Sequence, residues 1–501
     1  MKKIFASILR SNLTLLSLVL FLTACGGSGS NAGFSGNTAI SRIGSGLGGT
    51  GTGEITAFGS IFINGTRKFE LNNDTQIFLD DVPISETELR QQGLGLFVHI
   101  YVATDVSDDI TTGTALRVFA RTQFKGSVTS TTPLQIFDQT IEITGDTVLV
   151  NTTGQDLSVG DMIEVSGYLG ANNTIQATRV AYKANGVSTW RLTGTLSSVT
   201  ATQLSIGSQV VNLGNITPKE CSNGLQAGVR VEITLTPDRT FRAGEPLTTV
   251  TGIECDEDTL YIPDDIPASI LPANFEGIVS TVNTSPITRI MVSDQPIIIT
   301  PTTTFIGGTV ADIIVGVRLE AEGTVDTSTS TREIMANKIR FRQSRVRIEA
   351  PLNVPIGGLA ATFDIMDVIS VTTNSSTRNE INNTNNGLQP NGLKQVEIRG
   401  FVDKTGRVFA ERIRNRGNAD SNDTRLRGPL ANPSNAASRF SILGITIDAS
   451  SAQSIKNKEG NNISLDQFFS QVTTGTVIQV NNGTFSSNPP TIRNGEIEIE
   501  N

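Results

Sequence analysis

Residues 157–180 read LSVGDMIEVSGYLGANNTIQATRV, and imperfect copies of this stretch recur along the chain. Ile163 and Val165 alternate with polar residues, which is the period-two pattern of a strand with one buried face. A polar turn, GANN, separates this strand from a second apolar alternation in TIQA, so the stretch predicts a β-hairpin. Val180 breaks the alternation and indicates a bulge in the second strand.

The same hairpin pattern returns four times downstream. The copies are LQAGVRVEI (225–233), IVGVRLEAEG with IMANKI (314–339), GLKQVEIRG with VFAERI (392–413) and GTVIQV (475–480). An opening pattern, Gly-x-Val, Gly-x-Leu or Gly-x-Ile and then two apolar alternating strands, precedes each copy. The opening residues are Gly53, Gly126, Gly194, Gly277, Ala350 and Gly428. Because openings lie roughly 70 to 80 residues apart, the period favours an array of small domains over one large core.

This order of motifs resembles a repeated domain of unknown function found in bacterial cell-envelope proteins. The resemblance rests on Gly-x-Ile/Val, then Leu-x-x-Gly-x-x-Val-x-Val-x-Gly, then Ile-x-Ala-x-x-Ile, and GTGEITAFGSIFING at 51–65 is similar to that family's first repeat. It extends over nearly all the chain after about residue 50. The resemblance implies a small β-barrel for each repeat and implies no established activity.

Two short helices are expected among the strands. Ser85-Glu86-Thr87-Glu88 and Ser464-Leu465-Asp466-Gln467 both have the form of a capping box, and each precedes the second hairpin of its repeat. A helix between the third and fourth strands of a small Greek-key barrel is typical of an OB-like fold.

We therefore expect an all-β chain, a tandem array of about six small OB-like barrels after a lipoprotein signal and a flexible tether. The predicted segments are a signal peptide (1–24), a Gly/Ser/Asn-rich tether (25–50), repeats 1 to 3 (51–122, 123–188 and 189–258), a Pro-rich linker (259–274) and repeats 4 to 6 (275–343, 344–416 and 424–501).

The N-terminus has the order of a secretory signal, with three basic residues, an apolar run at 13–22 and Leu-Thr-Ala-Cys ending at Cys25. The last four residues resemble the bacterial lipobox, which implies that Cys25 is acylated; an ordinary secretory signal with a chance cysteine is the alternative. Two or three acyl chains hold a protein durably on a membrane. Cys25 is followed by Gly26 and not by Asp. By similarity to lipoprotein sorting in enterobacteria, this residue favours export to the outer membrane.

The charge balance opposes one class of partner. The formal net charge is −9, and removal of the three basic residues of the signal makes it −12. Non-specific binding of nucleic acid depends on Lys and Arg, and Trp190 is the single tryptophan. We expect no nucleic-acid partner and no cofactor.

Candidate catalytic and metal-binding residues are few. His99, the single histidine, lies in the apolar strand LFVHIYVA without a nucleophile motif, which favours a packing role. Acidic runs occur at 80–81, 108–109 and 256–265. The third run offers weak calcium candidates at Asp256, Asp258, Asp264 and Asp265, although it lacks the EF-hand order and exposed acidic loops are common. No other metal site and no catalytic set is indicated.

Two cysteines remain after Cys25. In an oxidising envelope compartment, Cys221 and Cys255 are expected to form a disulfide within repeat 3.

Three functions are compatible with these observations. The first is a non-enzymatic envelope lipoprotein that binds or scaffolds something at the periplasmic side or the cell surface. The second is an oligosaccharide-binding surface protein, which would need a row of exposed aromatic side chains. The third is a carboxylate-dependent hydrolase, which would need a pocket with perturbed acids. The expected partners are the membrane, through the lipid anchor, and either an envelope protein or a polysaccharide.

We predict that Cys25 carries the lipid and becomes the mature N-terminus. Mass spectrometry of the N-terminal peptide should show a diacylated cysteine, and the protein should fractionate with membranes because its acyl chains are buried there. A Cys25→Ala variant should be lost from the membrane fraction. An unmodified Cys25 in wild-type protein would contradict the prediction.

Overall fold

A computed structural model of the protein describes residues 49–500, apart from residues 66, 104–111, 155, 172–173, 222–223, 256–259, 261–269, 284–285, 329–331, 343, 356, 374–376, 382–390, 404 and 459. The described chain contains 36 β-strands and two α-helices of seven residues each. It is therefore all-β, as the sequence predicts. No helix among these residues is long and apolar enough to cross a membrane.

Each repeat folds into a small barrel with five principal strands, arranged in space as first, second, third, fifth and fourth. The third and fifth strands are parallel, and the other neighbours are antiparallel. This is the OB-like arrangement expected from the sequence. We number the barrels 1 to 6 in chain order.

Barrels 1 and 2 are closed by hydrogen bonds between their first and fourth strands, β1 with β6 and β8 with β12. Barrel 1 contains β1 (Gly49–Ala57), β2 (Ile61–Ile63), β3 (Arg67–Glu70), β4 (Gln76–Leu79), β5 (Val82–Ile84), α1 (Glu86–Gln92), β6 (Phe97–Val102) and β7 (Thr112–Arg121). Barrel 2 contains β8 (Phe124–Thr131), β9 (Leu134–Ile136), β10 (Gln139–Glu142), β11 (Val148–Val150), β12 (Met162–Leu169) and β13 (Thr174–Tyr182).

Barrels 3 and 4 differ in how the third strand meets the fifth. Barrel 3 contains β14 (Trp190–Val199), β15 (Gln203–Ile206), β16 (Gln209–Asn212), β17 (Arg230–Leu235) and β18 (Val250–Cys255), and two isolated bridges complete it. Barrel 4 contains β19 (Ile270–Val282), β20 (Arg289–Val292), β21 (Gln295–Ile306), a 3-10 turn (Val310–Asp312), β22 (Arg318–Asp326) and β23 (Ile334–Phe341), joined by continuous ladders. Because β19 starts at Ile270, the end of the predicted 259–274 linker is part of this strand.

Barrels 5 and 6 complete the chain. Barrel 5 contains β24 (Ser344–Val354), β25 (Thr362–Ile365), β26 (Ile369–Thr372), β27 (Arg378–Glu380), β28 (Gly392–Val402) and β29 (Val408–Asn418). Barrel 6 contains β30 (Thr424–Ser434), β31 (Arg439–Ile442), β32 (Ile445–Asp448), a 3-10 turn (Ala449–Ser451), β33 (Ser454–Lys456), α2 (Leu465–Gln471), β34 (Val477–Ser487), β35 (Pro490–Arg493) and β36 (Glu496–Ile499).

Both α-helices begin where the sequence predicts. Ser85 caps α1 and Ser464 caps α2, and each forms a complete capping box with the third helical residue. Each helix lies between the third and fourth strands of its barrel and buries one apolar residue, Leu89 or Phe468.

The Val-x-Val-x-Gly motif marks a β-bulge between the fourth and fifth strands. In barrel 2, Ser166 is opposite Arg179 while Gly167 is opposite Ala177, so Thr178 is the extra residue. The interruption that Val180 signals in the sequence is therefore this bulge. A Cβ on the motif glycine would lie 2.3 Å from the facing carbonyl oxygen, which is why glycine is required there.

Glycine at the opening position makes room for a turn. The second and third strands of barrel 1 are joined by Asn64-Gly65, both with positive φ, and the side chain of Asn64 lies against Gly53. In barrel 2, the ring of Phe137 covers Gly126 in the same way. The opening motif therefore encodes contact between the first strand and the following hairpin.

The barrels associate in pairs through their first strands. β1 pairs with β19 in parallel, β8 pairs with β14 antiparallel, and β24 pairs with β30 antiparallel. Barrel 1 is thus joined to barrel 4, barrel 2 to barrel 3, and barrel 5 to barrel 6. All six belong to one compact unit, and their order in space does not follow their order in the chain.

The expectation of one buried face per strand is wrong for the fourth strands of barrels 1 and 2. Every residue of β6 is buried, and all but the last residue of β12. The outward faces are covered because other barrels pack on them. Phe97, Tyr168 and Ile278, from barrels 1, 2 and 4, form a buried apolar cluster at one such contact.

We predict that Gly323→Ala destabilises the protein, whereas Gly51→Ala does not. A Cβ at Gly323 would lie 2.0 Å from the carbonyl oxygen of Met335, but at Gly51 the nearest atom is 3.4 Å away. Denaturant unfolding should show a loss of about 1 to 3 kcal/mol for Gly323→Ala and a change within about 1 kcal/mol for the control. Equal losses of stability in the two variants would contradict the explanation that the bulge requires glycine at position 323.

Candidate functional site

His99 lies on the outward face of β6, buried where barrel 1 meets other barrels. Its Nδ1 lies 3.1 Å from the hydroxyl of Thr52, and its ring meets the edge of Phe97. Burial, together with the charges of Arg121 and Arg230, holds its pKa well below the usual value. The imidazole is a buried, packed side chain.

The predicted disulfide is present. Cys221 and Cys255 are bonded across barrel 3 and close a loop with a sequence separation of 34 residues. The bond joins the segment after β16 to the end of β18.

Other predicted site residues lie outside the described part of the chain. These are the lipidation residue Cys25 and the calcium candidates Asp256, Asp258, Asp264 and Asp265. Within the described residues, no group of three or more His, Cys, Asp or Glu side chains is placed to hold a metal ion.

A set of charged and polar residues, here called the central charge cluster, lies where four barrels meet, and all its members are buried except the half-buried Asp146 and Arg345. It comprises Glu54 and Arg67 of barrel 1, Asp146 and Tyr168 of barrel 2, Glu276, Arg318, Glu320 and Glu322 of barrel 4, Arg342 between barrels 4 and 5, and Arg345 and Glu411 of barrel 5.

Glu320 is at the middle of this cluster and has no exposed surface. Arg67 donates from Nε and Nη2 to Oε1 of Glu320, at 2.8 and 2.6 Å. Arg342 donates to the other oxygen at 2.5 Å, and Asn274 donates to Oε1 at 2.9 Å. Burial opposes ionisation, but Arg342 and Arg67 hold the pKa of Glu320 well below its usual value.

Arg318 and Arg345 connect the remaining barrels to the cluster. Arg318 donates to Glu276 at 2.7 Å and to the hydroxyl of Tyr168 at 2.8 Å, and its guanidinium carbon lies 4.1 Å from the centre of that ring. Arg345 of barrel 5 forms an ion pair with Glu54 of barrel 1.

The middle residue of Val-x-Val is a glutamate in four of the six repeats, buried in three of them and half-buried in barrel 3. It is Glu164, Glu232, Glu320 or Glu397, and His99 and Gln479 occupy the position in barrels 1 and 6. Each glutamate binds arginine or lysine, at 3.0 Å for Lys125 with Glu164 and 2.6 Å for Arg191 with Glu232. The outward position of the motif thus supplies charges for contacts within and between barrels.

Five arginines occupy one register across five neighbouring strands, β27, β29, β28, β24 and β30. Arg378 is opposite Arg412, which is opposite Arg399, which is opposite Arg347, which is opposite Arg427. We call this set the arginine row. Like charges directly opposite each other destabilise a sheet, so the row requires compensating negative charge.

Five carboxylates supply part of that charge. The contacts are Arg378 and Arg412 with Glu380, Arg399 and Arg347 with Glu397, Arg347 with Glu349, and Arg427 with Glu500 and Asp146. Glu349 and Glu397 are shared with arginines outside the row, so the carboxylates are not reserved for the row. Arg414 of the next register also binds Glu397, at 2.9 Å.

The arginine row lines a cleft of about 200 Å³ between barrels 1, 2, 5 and 6, here called the arginine cleft. Thr56 and Gly65 border it from barrel 1, and Gly145 and Asp146 from barrel 2. Six arginines line it, the row and Arg345, against two carboxylates, Asp146 and Glu411.

The two lining carboxylates have opposite pKa shifts. Burial raises the pKa of Glu411 to about 7, against the attraction of Arg342 and Arg345. At Asp146 the burial effect is outweighed by Arg345 and Arg427, and the pKa is lowered. Glu411 is the extra residue of the barrel 5 bulge, and bulges commonly redirect side chains into sites.

The pKa values of the row's arginines reflect crowding of positive charge. Burial lowers the pKa of Arg378 and of Arg399, and the positive charges of Arg412 and Arg347, respectively, add to this effect. An anion in the cleft would relieve that repulsion.

The sequence alone does not reveal the arginine row. A signal is present, because Arg-x-Arg occurs at 345–347, 412–416 and 425–427, each within a strand. Alternation places such arginines on one face of their own strand. The register that aligns separate strands depends on pairing over long sequence distances, and the acidic net charge hides a local excess of arginine.

Comparison with known families gives one match. The family described as "Domain of unknown function (DUF5666)" matches residues 52–181, 276–340 and 356–414, together just over half of the chain. These segments contain most of barrels 1, 2, 4 and 5, a narrower extent than the resemblance in the sequence suggests. No curated protein matches the chain. The protein therefore belongs to the DUF5666 family.

Proposed function

We propose that the protein is a non-enzymatic binding protein of the cell envelope that takes anionic ligands in the arginine cleft. The arginine row carries this proposal. Five positive charges in one register destabilise the free sheet. Five carboxylates contact them, and they offset the charge only in part because Glu397 and Glu349 are shared with three arginines outside the row. A negatively charged ligand would complete the compensation, and arginine is well suited to oxyanions because its planar group donates two parallel hydrogen bonds.

The proposed location rests on the N-terminal sequence. Leu-Thr-Ala-Cys ending at Cys25 supports a lipid anchor, and Gly26 supports the outer membrane. The tether from 26 to 50 would reach roughly 25 to 30 Å from the bilayer. The barrels would then meet ligands close to the membrane surface, facing either the periplasm or the exterior.

Neutral oligosaccharides are a less suitable ligand class. Protein groups that hold neutral sugars combine polar contacts with aromatic surfaces, and large apolar side chains exposed on the described chain are all aliphatic. The arginine cleft is instead lined by six arginines. An anionic saccharide remains compatible with this surface.

The carboxylate-hydrolase alternative has one observation in its favour. Glu411 and Asp146 line the same cleft with pKa values displaced in opposite directions, and a raised acid beside an ionised carboxylate is the pattern of acid–base catalysis. Against it, Glu411 is buried and its Oε1 accepts from Arg342 at 2.5 Å. This contact favours a structural role for Glu411.

The proposal predicts selective binding without turnover. Detergent-solubilised mature protein should bind oligogalacturonate or a phosphorylated oligosaccharide and should not bind a neutral maltooligosaccharide of equal length, because only the anions compensate the row. Binding is measured by calorimetry, and the recovered saccharide is analysed for shorter products.

Three results would contradict it. Equal affinity for the neutral saccharide would support recognition by shape or stacking, and shortened products would support the hydrolase. Failure to bind any anion would remove the proposed role of the cleft.

A further inference from the structure

The arginine cleft holds more hydrogen-bond donors than its carboxylates use. Each guanidinium has five N–H donors. Arg399 bonds Glu397 through Nε, and 48 % of its side chain is exposed. Arg412 bonds Glu380 through Nε and Nη2. The Nε of Arg347 is buried and has no hydrogen-bond partner among the described residues.

The neighbours of these donors offer few further acceptors. Glu397 is already shared by Arg347, Arg399 and Arg414. Glu349, the second acceptor for Arg347, is shared with Arg416 and Arg425. At the end of the row, Arg427 is opposite Gln479, whose neutral amide also lines the cleft. Arg378, at the other end, lies 4.3 Å from the ring centre of Phe62, so barrel 1 fixes its position.

The number of donors distinguishes between classes of anion. A carboxylate has two oxygens and one charge, and two arginines acting through paired bonds already saturate it. A phosphate has additional oxygens and carries about 1.5 to 2 negative charges near neutral pH. It can therefore accept from three or more convergent guanidinium groups at once.

The size of the cleft is consistent with this class. Water occupies about 30 Å³ per molecule in the liquid, so a cleft of about 200 Å³ holds several waters or one phosphate with part of an attached group. Walls from barrels 1, 2, 5 and 6 enclose that space. The row extends across four strand spacings, roughly 19 Å, and its central arginines are the ones that share Glu397.

We propose that the arginine cleft is a phosphate-binding site, with Arg399, Arg412 and Arg347 as its principal donors. This inference rests on the proposed anion-binding function and specifies its ligand. The phosphate is either free inorganic phosphate or a phosphate monoester on a sugar, and the two share the same doubly charged oxyanion. The ligand adds to the carboxylates of the row and does not replace them.

The test compares three probes by calorimetry on detergent-solubilised mature protein: inorganic phosphate, glucose 6-phosphate and galacturonate. Wild-type protein should bind the phosphate probes with saturation at one site and should bind galacturonate at least about tenfold more weakly, because one carboxylate uses fewer donors. Tighter binding of glucose 6-phosphate than of phosphate identifies a sugar-linked ligand. Equal affinities for glucose 6-phosphate and inorganic phosphate identify free phosphate as the ligand.

Arg399→Gln and Arg289→Gln provide a matched pair of variants. Both arginines are about half exposed, with 48 % and 46 % of the side chain accessible, and each binds one glutamate through Nε at 3.0 or 2.9 Å. Arg289 lies in barrel 4, outside the cleft. Arg399→Gln should weaken phosphate binding at least about tenfold, and Arg289→Gln should leave it unchanged.

A charge-conserving variant, Arg399→Lys, should bind with intermediate affinity because it keeps the charge and loses the planar donor pair. It also guards against misfolding of Arg399→Gln, since both variants are checked by thermal melting before titration. Equal losses of phosphate affinity in Arg399→Gln and Arg289→Gln would overturn the assignment of the phosphate site.

The remaining outcomes separate this inference from the proposed function. Tighter binding of galacturonate than of either phosphate probe would overturn the phosphate assignment and leave anion binding intact. Absence of saturable binding for all three probes would overturn both.

Discussion

The buried carboxylate of Glu320 is the contact on which the packing of the barrels depends. Both of its oxygens bind arginines from outside the strands of barrel 4, Arg67 of barrel 1 and Arg342 in the segment that leads to barrel 5. A buried charge that loses its partner costs about 3 to 5 kcal/mol. Removal of one barrel would leave such a charge on its neighbour, so the barrels of the cluster depend on one another.

This dependence explains what the repeat motif encodes. Inward residues of each fourth strand fill a barrel core. In four repeats the outward residue between them is a glutamate, which supplies the charge for contacts within and between barrels. At the junction of barrels 5 and 6 the first strands β24 and β30 pair, so the sheet of one barrel continues into the next. Arginines on five strands then reach one register, and they line the arginine cleft.

Local features were predictable from the sequence because their causes are local. The capping boxes at Ser85 and Ser464, the hairpins and the bulge signalled near Val180 all follow from residues within a few positions of one another. The disulfide followed from having two cysteines in one repeat. The glycines of the motifs reflect close approaches within a single barrel.

The association of the barrels was not predictable in this way. Thr50 pairs with Ala273, more than two hundred residues away, and no periodic pattern specifies such a partner. Alternating polar residues look the same whether they face water or another barrel, so the burial of Glu164 and Glu320 could not be inferred. The arginine row depends on the same long-range register, so no local pattern in the sequence reveals it.

Scanning calorimetry of the protein tests most directly whether buried charges make the barrels one cooperative body. A single transition with equal calorimetric and van't Hoff enthalpies is predicted, because barrels 1, 2, 4 and 5 cannot unfold without exposing unpaired charges in their neighbours. Barrels 3 and 6 are included because their first strands pair with those of barrels 2 and 5. Independent barrels would instead unfold in several steps, with a van't Hoff enthalpy about one sixth of the calorimetric value. That result would contradict the account.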